Sequence, residues 1–376
     1  MPIVILSDFH PRNTLGGGGA IAHEFYQSLL ELNVASEFWS TGNPLEDTSE
    51  EKFFESQVSK YRIINFFQVC IINRCTLRVI WKLYKERPNI LWVNAIGNRI
   101  SFSVVLVSRA LRIRTFVTLH DFLPINQTKI GLFGSGLYRH LDLSRIIVEK
   151  RMHHRLRRKI LTFYVNRANG IFAVGPLQYK ILKSFGVSVK AWVPNGVANC
   201  THKTTDSKST QKRSGILFAG RFHRKGLEYL IDGLLQSKSR PKLLLAGGID
   251  LFDYAKTRLP EEDIHYFGTV SRQTLHDIIH EVELVCVLSQ YFDPYPTIGL
   301  EAIRHGALII VTNTSGISHY FTGVGDILIN GINQVPDLDE ILGHTENFAE
   351  LHSKIDLQIP RPLEVVKLYL TFFRNK

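Results

Sequence analysis

The chain alternates short apolar runs with longer segments of helical periodicity, and it does so twice. The runs in the first 197 residues are PIVILSD, PNILWVN, RTFVTLHDF and GIFAVG; those after residue 214 are GILFAGRF, PKLLLAGG, IHYFG, ELVCVLS and ALIIVTN. A strand, a helix and another strand in succession predict a parallel sheet with helices on both faces. The sequence therefore predicts two Rossmann-like, doubly wound α/β domains, whose ligands bind at the carboxyl ends of the strands.

A polar stretch separates the two halves. Residues 198–214, ANCTHKTTDSKSTQKRS, contain almost nothing apolar, which is typical of a solvent-exposed connection. A chain of 376 residues also exceeds what one hydrophobic core usually serves. We therefore expect domains at 1–197 and 198–358, followed by a helix within 359–376 that Pro360 and Pro362 precede. The first domain is the candidate docking surface for this helix.

The charge and composition of the chain limit the kinds of molecule that it is expected to bind. The net charge of +11 favours nucleic acid, an acidic membrane surface or a phosphorylated ligand. Zinc-ligand spacing, a clear helix-turn-helix and an aromatic RNA-binding signature are missing from the sequence, so nucleic acid is not an expected partner. Apolar residues make up 44% and charged residues 21%, which excludes general disorder.

The expected location is the cytoplasm. The four cysteines, Cys70, Cys75, Cys200 and Cys286, have neither C-x-x-C spacing nor the density of a secreted disulfide scaffold, so reduced thiols are expected. The N-terminal apolar run lacks the charged start of a signal peptide and is too short for one. No stretch reaches the roughly 18 apolar residues of a membrane-spanning helix.

Two features of the first half are candidates for ligand contact. The glycines Gly16, Gly17, Gly18 and Gly19 follow the first strand and precede a helix, where bare backbone could approach a phosphate. Their spacing is not G-x-G-x-x-G, and a surface loop is the alternative. His120 and Asp121 end a buried run, where the imidazole could bind a sugar hydroxyl. A structural hydrogen bond is the alternative for His120 and also for His10.

In the second half, GILFAGRFHRKGLEYL places Gly220 and Arg221 directly after a strand, with Arg224 and Lys225 at the start of the next helix. A diphosphate leaving group requires fixed positive charge of this kind, because negative charge develops on it as the glycosidic bond breaks. A solvated basic turn is the alternative.

Two carboxylates flank a turn in YFDPYPTIGLEAIRHG. Asp293 and Glu301 are eight residues apart, and the prolines and Gly299 predict a shaped loop that ends at a helix N-terminus. Glu301 could accept hydrogen bonds from ribose hydroxyls. We expect backbone N–H groups of the turn to face the donor, at Thr297, Ile298, Gly299 and Leu300. A favourable helix-start charge is the alternative for Glu301.

These segments together resemble the retaining glycosyltransferases of family four, or group 1, with the GT-B fold. The Gly-rich loop, TLHD, AVGP, VPNGV, AGRFHRKG and the D-x7-E segment occur in the order of the family and cover nearly the whole chain. The family patterns are E-x7-E, G-R-x4-K-G and P-N-G-V, and several matches in order are more specific than any single one.

The resemblance implies transfer of a sugar from a UDP- or GDP-linked donor to a glycan or lipid-linked acceptor, with retention, in cell-surface polysaccharide or lipopolysaccharide assembly. It implies an acceptor-binding first domain and a donor-binding second domain. His120, Arg221, Lys225 and Asp293 would be catalytic. The donor-binding residues would be Gly16, Gly17, Gly18, Gly19, Gly220, Arg224, Thr297, Ile298, Gly299, Leu300 and Glu301.

Three positions depart from the family. Asp293 replaces the usual Glu, Arg221 and Lys225 are four apart where five is general, and His319 stands where many relatives have an acidic residue. Because of the spacing, either Arg224 or Lys225 could act with Arg221 on the diphosphate.

We expect neither a metal nor another cofactor. The one D-x-D, Asp337 to Asp339, lies far beyond the donor segments, where the two residues are helix-start charges. Basic side chains would replace the ion.

The segment RIIVEKRMHHRLRRKILTFYVNR indicates a basic amphipathic helix. Its apolar stripe would be Val148, Met152, Leu156, Ile160 and Tyr164, with Arg155, Arg157, Arg158 and Lys159 among the residues on the other faces. This pattern favours peripheral binding to an anionic membrane; a core-packed helix with a solvated basic face is the alternative.

Other functions remain open from sequence. A nucleotide-sugar epimerase or hydrolase of the same fold would share the phosphate and ribose contacts. An inactive scaffold relative is a further alternative, because Asp293 and the Arg221–Lys225 spacing depart from the family. The sequence contains no pattern that identifies the donor sugar, the nucleotide base, the acceptor, the linkage or the oligomeric state.

Overall fold

The computed structural model describes residues 2–11, 17–42, 48, 51–55, 72–97, 99–125, 133–134, 146–147, 152–198, 213–220, 223–322, 329–331, 333–343 and 348–374. The chain divides into two compact units. Unit 1 comprises Met1–Leu132, Ile147–Gly196 and Pro362–Lys376, and unit 2 comprises Phe133–Ile146 and Val197–Arg361. The last segment of the chain therefore belongs to the unit in which the chain began.

Unit 1 is built on a seven-stranded parallel sheet of order β3-β2-β1-β4-β5-β8-β9. A separate two-stranded sheet pairs β6 with β7. The strands of the seven-stranded sheet are β1 (Ile3–Leu6), β2 (Ser36–Thr41), β3 (Glu51–Phe54), β4 (Ile90–Asn94), β5 (Arg114–Leu119), β8 (Gly170–Ala173) and β9 (Ala191–Trp192). The two-stranded sheet consists of β6 (Phe133–Gly134), which is assigned to unit 2, and β7 (Ile146–Ile147), of which Ile146 is assigned to unit 2 and Ile147 to unit 1. The strand order reverses between β1 and β4, which marks the ligand-binding crevice of such a sheet.

The helices of unit 1 connect these strands. They are α1 (Gly17–Glu31), α2 (Arg74–Glu86), α3 (Ser103–Ala110), α4 (Met152–Val165) and α5 (Pro176–Ser184). α2 begins after Asn73, whose side chain accepts a hydrogen bond from the Thr76 N–H at 2.8 Å and so caps the helix. α1 begins in glycine, which disfavours a helix, and burial of Phe25 and Leu29 against the sheet compensates for this.

Unit 2 repeats the plan with a six-stranded parallel sheet of order β12-β11-β10-β13-β14-β15. Its strands are β10 (Ile216–Gly220), β11 (Leu243–Gly247), β12 (Ile264–Gly268), β13 (Leu284–Val287), β14 (Leu308–Thr312) and β15 (Ile329–Asn330). Its helices are α6 (Leu227–Gln236), α7 (Ile249–Lys256), α8 (Arg272–Glu281), α9 (Thr297–Arg304), α10 (Leu338–Gly343) and α11 (Phe348–Asp356). Here the order reverses between β10 and β13.

The terminal helix α12 (Pro362–Arg374) is part of the core of unit 1. Tyr369 is fully buried, its ring lies 4.5 Å from that of Trp92, and its hydroxyl accepts a hydrogen bond from Thr118 at 3.2 Å. Phe373 is buried against Phe116 at 4.4 Å. Burial raises the pKa of Tyr369, so the phenol stays neutral in this core.

The predicted doubly wound α/β class is confirmed, and nine of the strands coincide with the nine apolar runs. The apolar runs did not predict the other six described strands, which are β2, β3, β6, β7, β9 and β15. β2 has the sequence SEFWST, in which polar and apolar residues are mixed, so it lacks the continuous run that predicts a buried strand. Among the described residues, no helix combines the length and the apolar character needed to cross a bilayer.

The two cysteines within the described ranges, Cys75 and Cys286, are buried free thiols. Burial raises the pKa of Cys75 to about 12, which keeps the thiol protonated at neutral pH. Cys70 and Cys200 lie outside the described residues.

Candidate active site

Two oppositely charged side chains meet at the carboxyl edge of the unit 2 sheet. Lys225 follows β10 and Asp293 follows β13, the two strands between which the strand order reverses. The Lys225 Nζ lies 3.6 Å from Asp293 Oδ2. This position is where a doubly wound sheet binds its ligand.

Gly226 explains why Lys225 reaches the end of β13. Its φ is 98°, in the left-handed region, and a Cβ at this position would lie 2.1 Å from the carbonyl oxygen of Leu288. Only glycine fits both constraints. The turn that carries Lys225 therefore packs directly on the backbone that leads to Asp293.

A second contact fixes the same turn from the side of α7. The carboxylate of Asp250 lies 2.7 Å from Nδ1 of His223 and accepts a hydrogen bond from the backbone N–H of His223 at 2.8 Å. The imidazole also stacks on the ring of Tyr254 at 4.5 Å. Lys225, two residues further on, is thus held by a braced backbone.

The pKa of Lys225 lies above its ordinary value, chiefly because of the charge of Asp293, and burial of the ammonium acts in the opposite direction. Tyr291 adds a side-chain hydrogen bond to Lys225. Burial raises the pKa of Tyr291 in turn, so the phenol is neutral. The site therefore presents a permanent cation beside a neutral hydroxyl and a carboxylate.

The loop from β13 to α9 is shaped by close backbone packing. The hydroxyl of Ser289 donates a hydrogen bond to Asp293 Oδ2 at 3.1 Å, and the N–H of Gly316 donates to the Asp293 carbonyl at 2.7 Å. A Cβ on Gly316 would lie 1.6 Å from the carbonyl oxygen of Pro294. The orientation of Asp293 is consequently set by both neighbouring loops.

The first turn of α9 contains the four residues whose backbone N–H groups are expected to face the donor. The Gly299 N–H donates to the Pro296 carbonyl at 3.2 Å, and a Cβ at Gly299 would lie 2.5 Å from Ile317 Cδ1. Leu300 is fully buried. The Leu300 side chain and the Cα of Gly299 are thus packed within unit 2. Thr297 and Ile298 occupy the first two helical positions, whose N–H groups have no partner within a helix.

Glu301 lies deeper than a helix-start charge. Its side chain is 4% exposed, Arg272 Nη2 lies 2.7 Å from Oε1, and His276 Nε2 lies 3.7 Å from Oε2. Burial acts to raise the pKa of Glu301, but His276 and the Arg272 guanidinium outweigh this effect and hold the pKa below its ordinary value. The carboxylate is therefore ionised and already has two cationic or hydrogen-bonding neighbours.

Several predicted residues cannot be placed in this geometry. Arg221, Gly16 and the side chain of Arg224 lie outside the described residues. Gly220 ends β10, and its carbonyl accepts a hydrogen bond from the Gly248 N–H at 3.2 Å.

In unit 1, His120 lies at the carboxyl end of β5. Its Nε2 is 3.0 Å from Asn94 Oδ1 at the end of β4. Asp121, the next residue, accepts a hydrogen bond from the Leu123 N–H at 2.8 Å. The imidazole is thus oriented by a side chain from the adjacent strand.

The glycines at the start of α1 have different environments. A Cβ on Gly18 would lie 3.0 Å from Ala95 Cβ, and one on Gly19 would lie 2.8 Å from the Phe9 carbonyl oxygen. Gly17 is exposed and borders open space. Gly18 and Gly19 therefore allow the N-terminus of α1 to approach the strand-order reversal between β1 and β4.

The apolar stripe assigned to α4 is wrong in part. The buried side consists of Arg157, Leu161 and Val165, and the Arg157 guanidinium donates to the Leu123 carbonyl at 3.1 Å. Leu156, which was placed on the stripe, is 53% exposed. The long Arg side chain packs its methylenes in the core and finds a carbonyl, which helical periodicity alone does not reveal. Val148 and the side chain of Met152 lie outside the described residues.

The acidic pair after residue 336 has structural roles at the start of α10. Asp337 accepts a hydrogen bond from the Glu340 N–H at 3.0 Å, as a helix cap does. Asp339 accepts hydrogen bonds from the Ser237 hydroxyl at 2.7 Å and the Lys238 N–H at 2.9 Å. These hydrogen bonds lower the pKa of Asp339, and the bond from the Lys238 N–H has the largest effect.

Four residues around Lys225, Asp293 and Glu301 were not singled out from sequence: Asp250, Arg272, His276 and Tyr291. The only available signal was for Arg272, which follows Ser271, and Ser271 accepts a hydrogen bond from the Thr274 N–H as the cap of α8. The others make contacts across long sequence separations, for which a single sequence holds no pattern.

Residues 202–330 match the family model described as glycosyl transferases group 1. An uncharacterized glycosyltransferase of Methanocaldococcus jannaschii is 29% identical over 120 residues. That alignment covers 29% of this chain and 30% of the relative, so the match spans less than a third of the length of either protein.

Solved structures resemble the chain over nearly its whole length. HepE of Anabaena in complex with UDP and glucose has a TM-score of 0.72 at 13% identity, with all of both chains covered. Sucrose-phosphate synthase of Thermosynechococcus elongatus has a TM-score of 0.72 at 13% identity, with 99% of this chain and 98% of the other covered. At these identities the likeness establishes the fold.

Proposed function

Because the chain carries a group 1 glycosyl transferase segment within a GT-B fold, we propose that it transfers a sugar from a nucleoside diphosphate sugar to an acceptor hydroxyl, with retention of anomeric configuration. The observation that carries this proposal is the placement of Lys225 beside Asp293 at the strand-order reversal of unit 2. A cation in that position suits a diphosphate, and a carboxylate suits a sugar hydroxyl.

The proposed chemistry follows from charge. The bond between the anomeric carbon and the diphosphate oxygen breaks, a bond to the acceptor oxygen forms, and the acceptor proton is released. Negative charge grows on the departing diphosphate, and Lys225 stabilises it more in the transition state than in the ground state. Arg221 and Arg224, which follow the same strand in sequence, would contribute further positive charge.

The remaining contacts orient the donor. In the free protein Asp293 neutralises Lys225, and we propose that the donor diphosphate replaces Asp293 as its partner. Asp293 is then available to a hydroxyl of the donor sugar. The N–H groups of Thr297 and Ile298 and the positive end of α9 favour the diphosphate, and Glu301 accepts the ribose hydroxyls.

The donor and acceptor classes are also proposals. UDP is favoured among the nucleotides because the HepE complexes contain UDP, and GDP is the second candidate. A glycan or lipid-linked acceptor, and with it a role in cell-surface polysaccharide or lipopolysaccharide assembly at the inner face of the membrane, agrees with the basic helix α4. His120 would bind a hydroxyl of the transferred sugar, and the transfer would require no metal or other cofactor.

Calorimetry against a panel of UDP- and GDP-sugars tests the proposal. We expect one nucleotide series to bind to the wild type and to bind more weakly to Lys225→Ala. Binding of the donor with release of free sugar at full rate in the absence of any acceptor would favour a hydrolase, and conversion of the donor sugar would favour an epimerase. No binding of any sugar nucleotide would support the inactive scaffold and contradict the proposal.

A further inference from the structure

We propose that unit 1 contains a zinc site formed by His10, His23 and Glu51. His10 lies in the loop after β1, His23 in the second turn of α1, and Glu51 at the start of β3. The three residues are far apart in sequence, and the fold brings one ligand atom of each within 4.8 Å of the others. All three belong to unit 1, whereas Lys225, Asp293 and Glu301 belong to unit 2.

The two distances from Glu51 are close to those between ligands of a common ion. Glu51 Oε1 lies 3.0 Å from His23 Nε2 and 3.5 Å from His10 Nε2. Ligand atoms about 2.0–2.1 Å from a tetrahedral zinc ion lie roughly 3.3–3.4 Å from one another. The third pair, His10 and His23, has ligand atoms within 4.8 Å of each other. The two imidazoles would therefore have to move closer by up to about 1.5 Å to share one tetrahedral ion.

The chemistry of the three ligands favours a transition metal ion such as zinc over a hard cation. Two imidazoles and one carboxylate are the protein ligands of many zinc sites that keep a fourth position for water or another ligand. Mg²⁺ and Ca²⁺ prefer a set made of oxygen ligands alone, so they are not expected here.

The surroundings orient the ligands and leave access from solvent. The ring of His10 is 1% exposed and packs at 5.5 Å from Phe38 and 5.1 Å from Phe53. The ring of His23 contacts Phe38 at 5.1 Å but is 22% exposed. An ion would therefore enter beside His23 and meet rings that aromatic packing already holds in place.

A bound zinc ion would connect three elements through one shared centre. It would fix the loop after β1 to α1 and to β3, which is the edge strand of the sheet. We therefore expect zinc to stabilise unit 1, because a ligand that binds only the folded state shifts the folding equilibrium toward that state.

The alternative is a metal-free cluster in which Glu51 accepts hydrogen bonds from the histidines. The zinc site and the metal-free cluster predict different metal contents and different responses to added zinc. If the cluster is metal-free, zinc should not change the melting temperature of the protein, and Co²⁺ should not bind.

The test uses the full-length protein, stripped with a chelator and dialysed, and then titrated with Zn²⁺ in competition with a chromogenic chelator. We expect one zinc per chain and a melting temperature that rises by about 5 °C or more at a hundredfold excess over the dissociation constant. Co²⁺ in place of Zn²⁺ should give the visible d–d absorption of a four-coordinate site.

The variants His23→Gln and Glu51→Gln should weaken zinc binding by on the order of 100-fold or more, because loss of a ligand exceeds loss of an outer-shell contact. His23→Gln is the safer variant for folding, since His23 is partly exposed. The matched control is His223→Gln, which removes another histidine paired with a carboxylate, that of Asp250, for which the described part of the chain supplies no third ligand.

Equal zinc affinity in the wild type and in both ligand variants would overturn the proposal. So would a melting temperature that zinc leaves unchanged in the wild type. If His23→Gln and Glu51→Gln melt like the metal-free wild type and lose only the response to zinc, a purely structural role of the side chains is excluded.

Discussion

At the scale of single residues, the charge of Lys225 is the feature on which the proposed reaction most depends. We expect Lys225→Ala to lower kcat by on the order of 10²-fold, which is the usual effect of removing one preorganised group from a developing anion. Steady-state kinetics with a saturating donor measures this effect.

The matched control is Lys256→Ala. Lys256 Nζ also lies 3.6 Å from a carboxylate, that of Asp253, but on α7 and in a solvent-exposed pair. We expect its kcat to equal that of the wild type. Equal kcat values for the wild type, Lys225→Ala and Lys256→Ala would exclude a role of Lys225 in the reaction.

Glu301 gives a prediction about donor binding. Glu301→Gln keeps the shape of the side chain but loses the charged acceptor, so donor binding should weaken by about 1.5–3 kcal/mol. Calorimetry with the nucleoside diphosphate alone measures this, since the ribose contact does not require the sugar. Unchanged affinity in a folded variant would exclude Glu301 from the ribose site.

The lowered pKa of Glu301 also predicts how stability depends on pH. A carboxylate whose folded-state pKa is below its unfolded value stabilises the protein above about pH 4.3, and the contribution is lost as the pH falls through the folded value. The wild type should therefore exceed Glu301→Gln in unfolding free energy at about pH 6, and the difference should shrink toward about pH 3. Urea unfolding at both values tests this, and a difference independent of pH would contradict it.

At the scale of elements, α4 shows how a helix can be identified and its faces misassigned. Helical spacing placed Leu156 on the buried stripe and Arg157 on the solvated faces, yet Leu156 is exposed and Arg157 is buried. Arg155 and Lys159 are exposed, and Arg158 is partly so. The membrane proposal therefore depends on Arg155, Arg158 and Lys159, together with exposed apolar side chains such as Leu156 and Phe163.

Liposome flotation tests that proposal. The triple variant Arg155→Glu, Arg158→Glu and Lys159→Glu leaves Arg157 intact, so unit 1 should remain folded. Each basic residue near an acidic leaflet contributes about 1 kcal/mol, and the wild type should therefore float with anionic vesicles at low salt and detach as salt rises. Flotation of the triple variant equal to that of the wild type would rule out α4 as the anchor.

At the scale of the whole molecule, the chain begins in unit 1, forms unit 2 and returns to unit 1 as α12. Tyr369→Ala should destabilise the protein by about 3–5 kcal/mol, because it empties a core position shared by Trp92 and Phe25. Leu368, the preceding residue, is 42% exposed, and Leu368→Ala should change stability by only about 0.5 kcal/mol. Denaturant unfolding compares them, and equal losses would show that α12 does not complete the core.

The sequence by itself determined the two doubly wound halves. A strand buried on both faces needs a continuous apolar run, and the linking helices need their own period, so both signals are local and readable. The motif order also identified the glycosyltransferase resemblance and placed Lys225, Asp293 and Glu301 among the candidate site residues. Each of these inferences depends on spacing along the chain.

Only the tertiary structure decided which of these groups meet. The pairing of Lys225 with Asp293 follows from strand order, and the pairing of Glu301 with Arg272 follows from the packing of α8 against α9. The convergence of His10, His23 and Glu51 depends on β3, a strand that the sequence did not predict. The physical reason is the same in each case: the distance between side chains in space is set by sheet order and packing, and separation along the chain does not encode it.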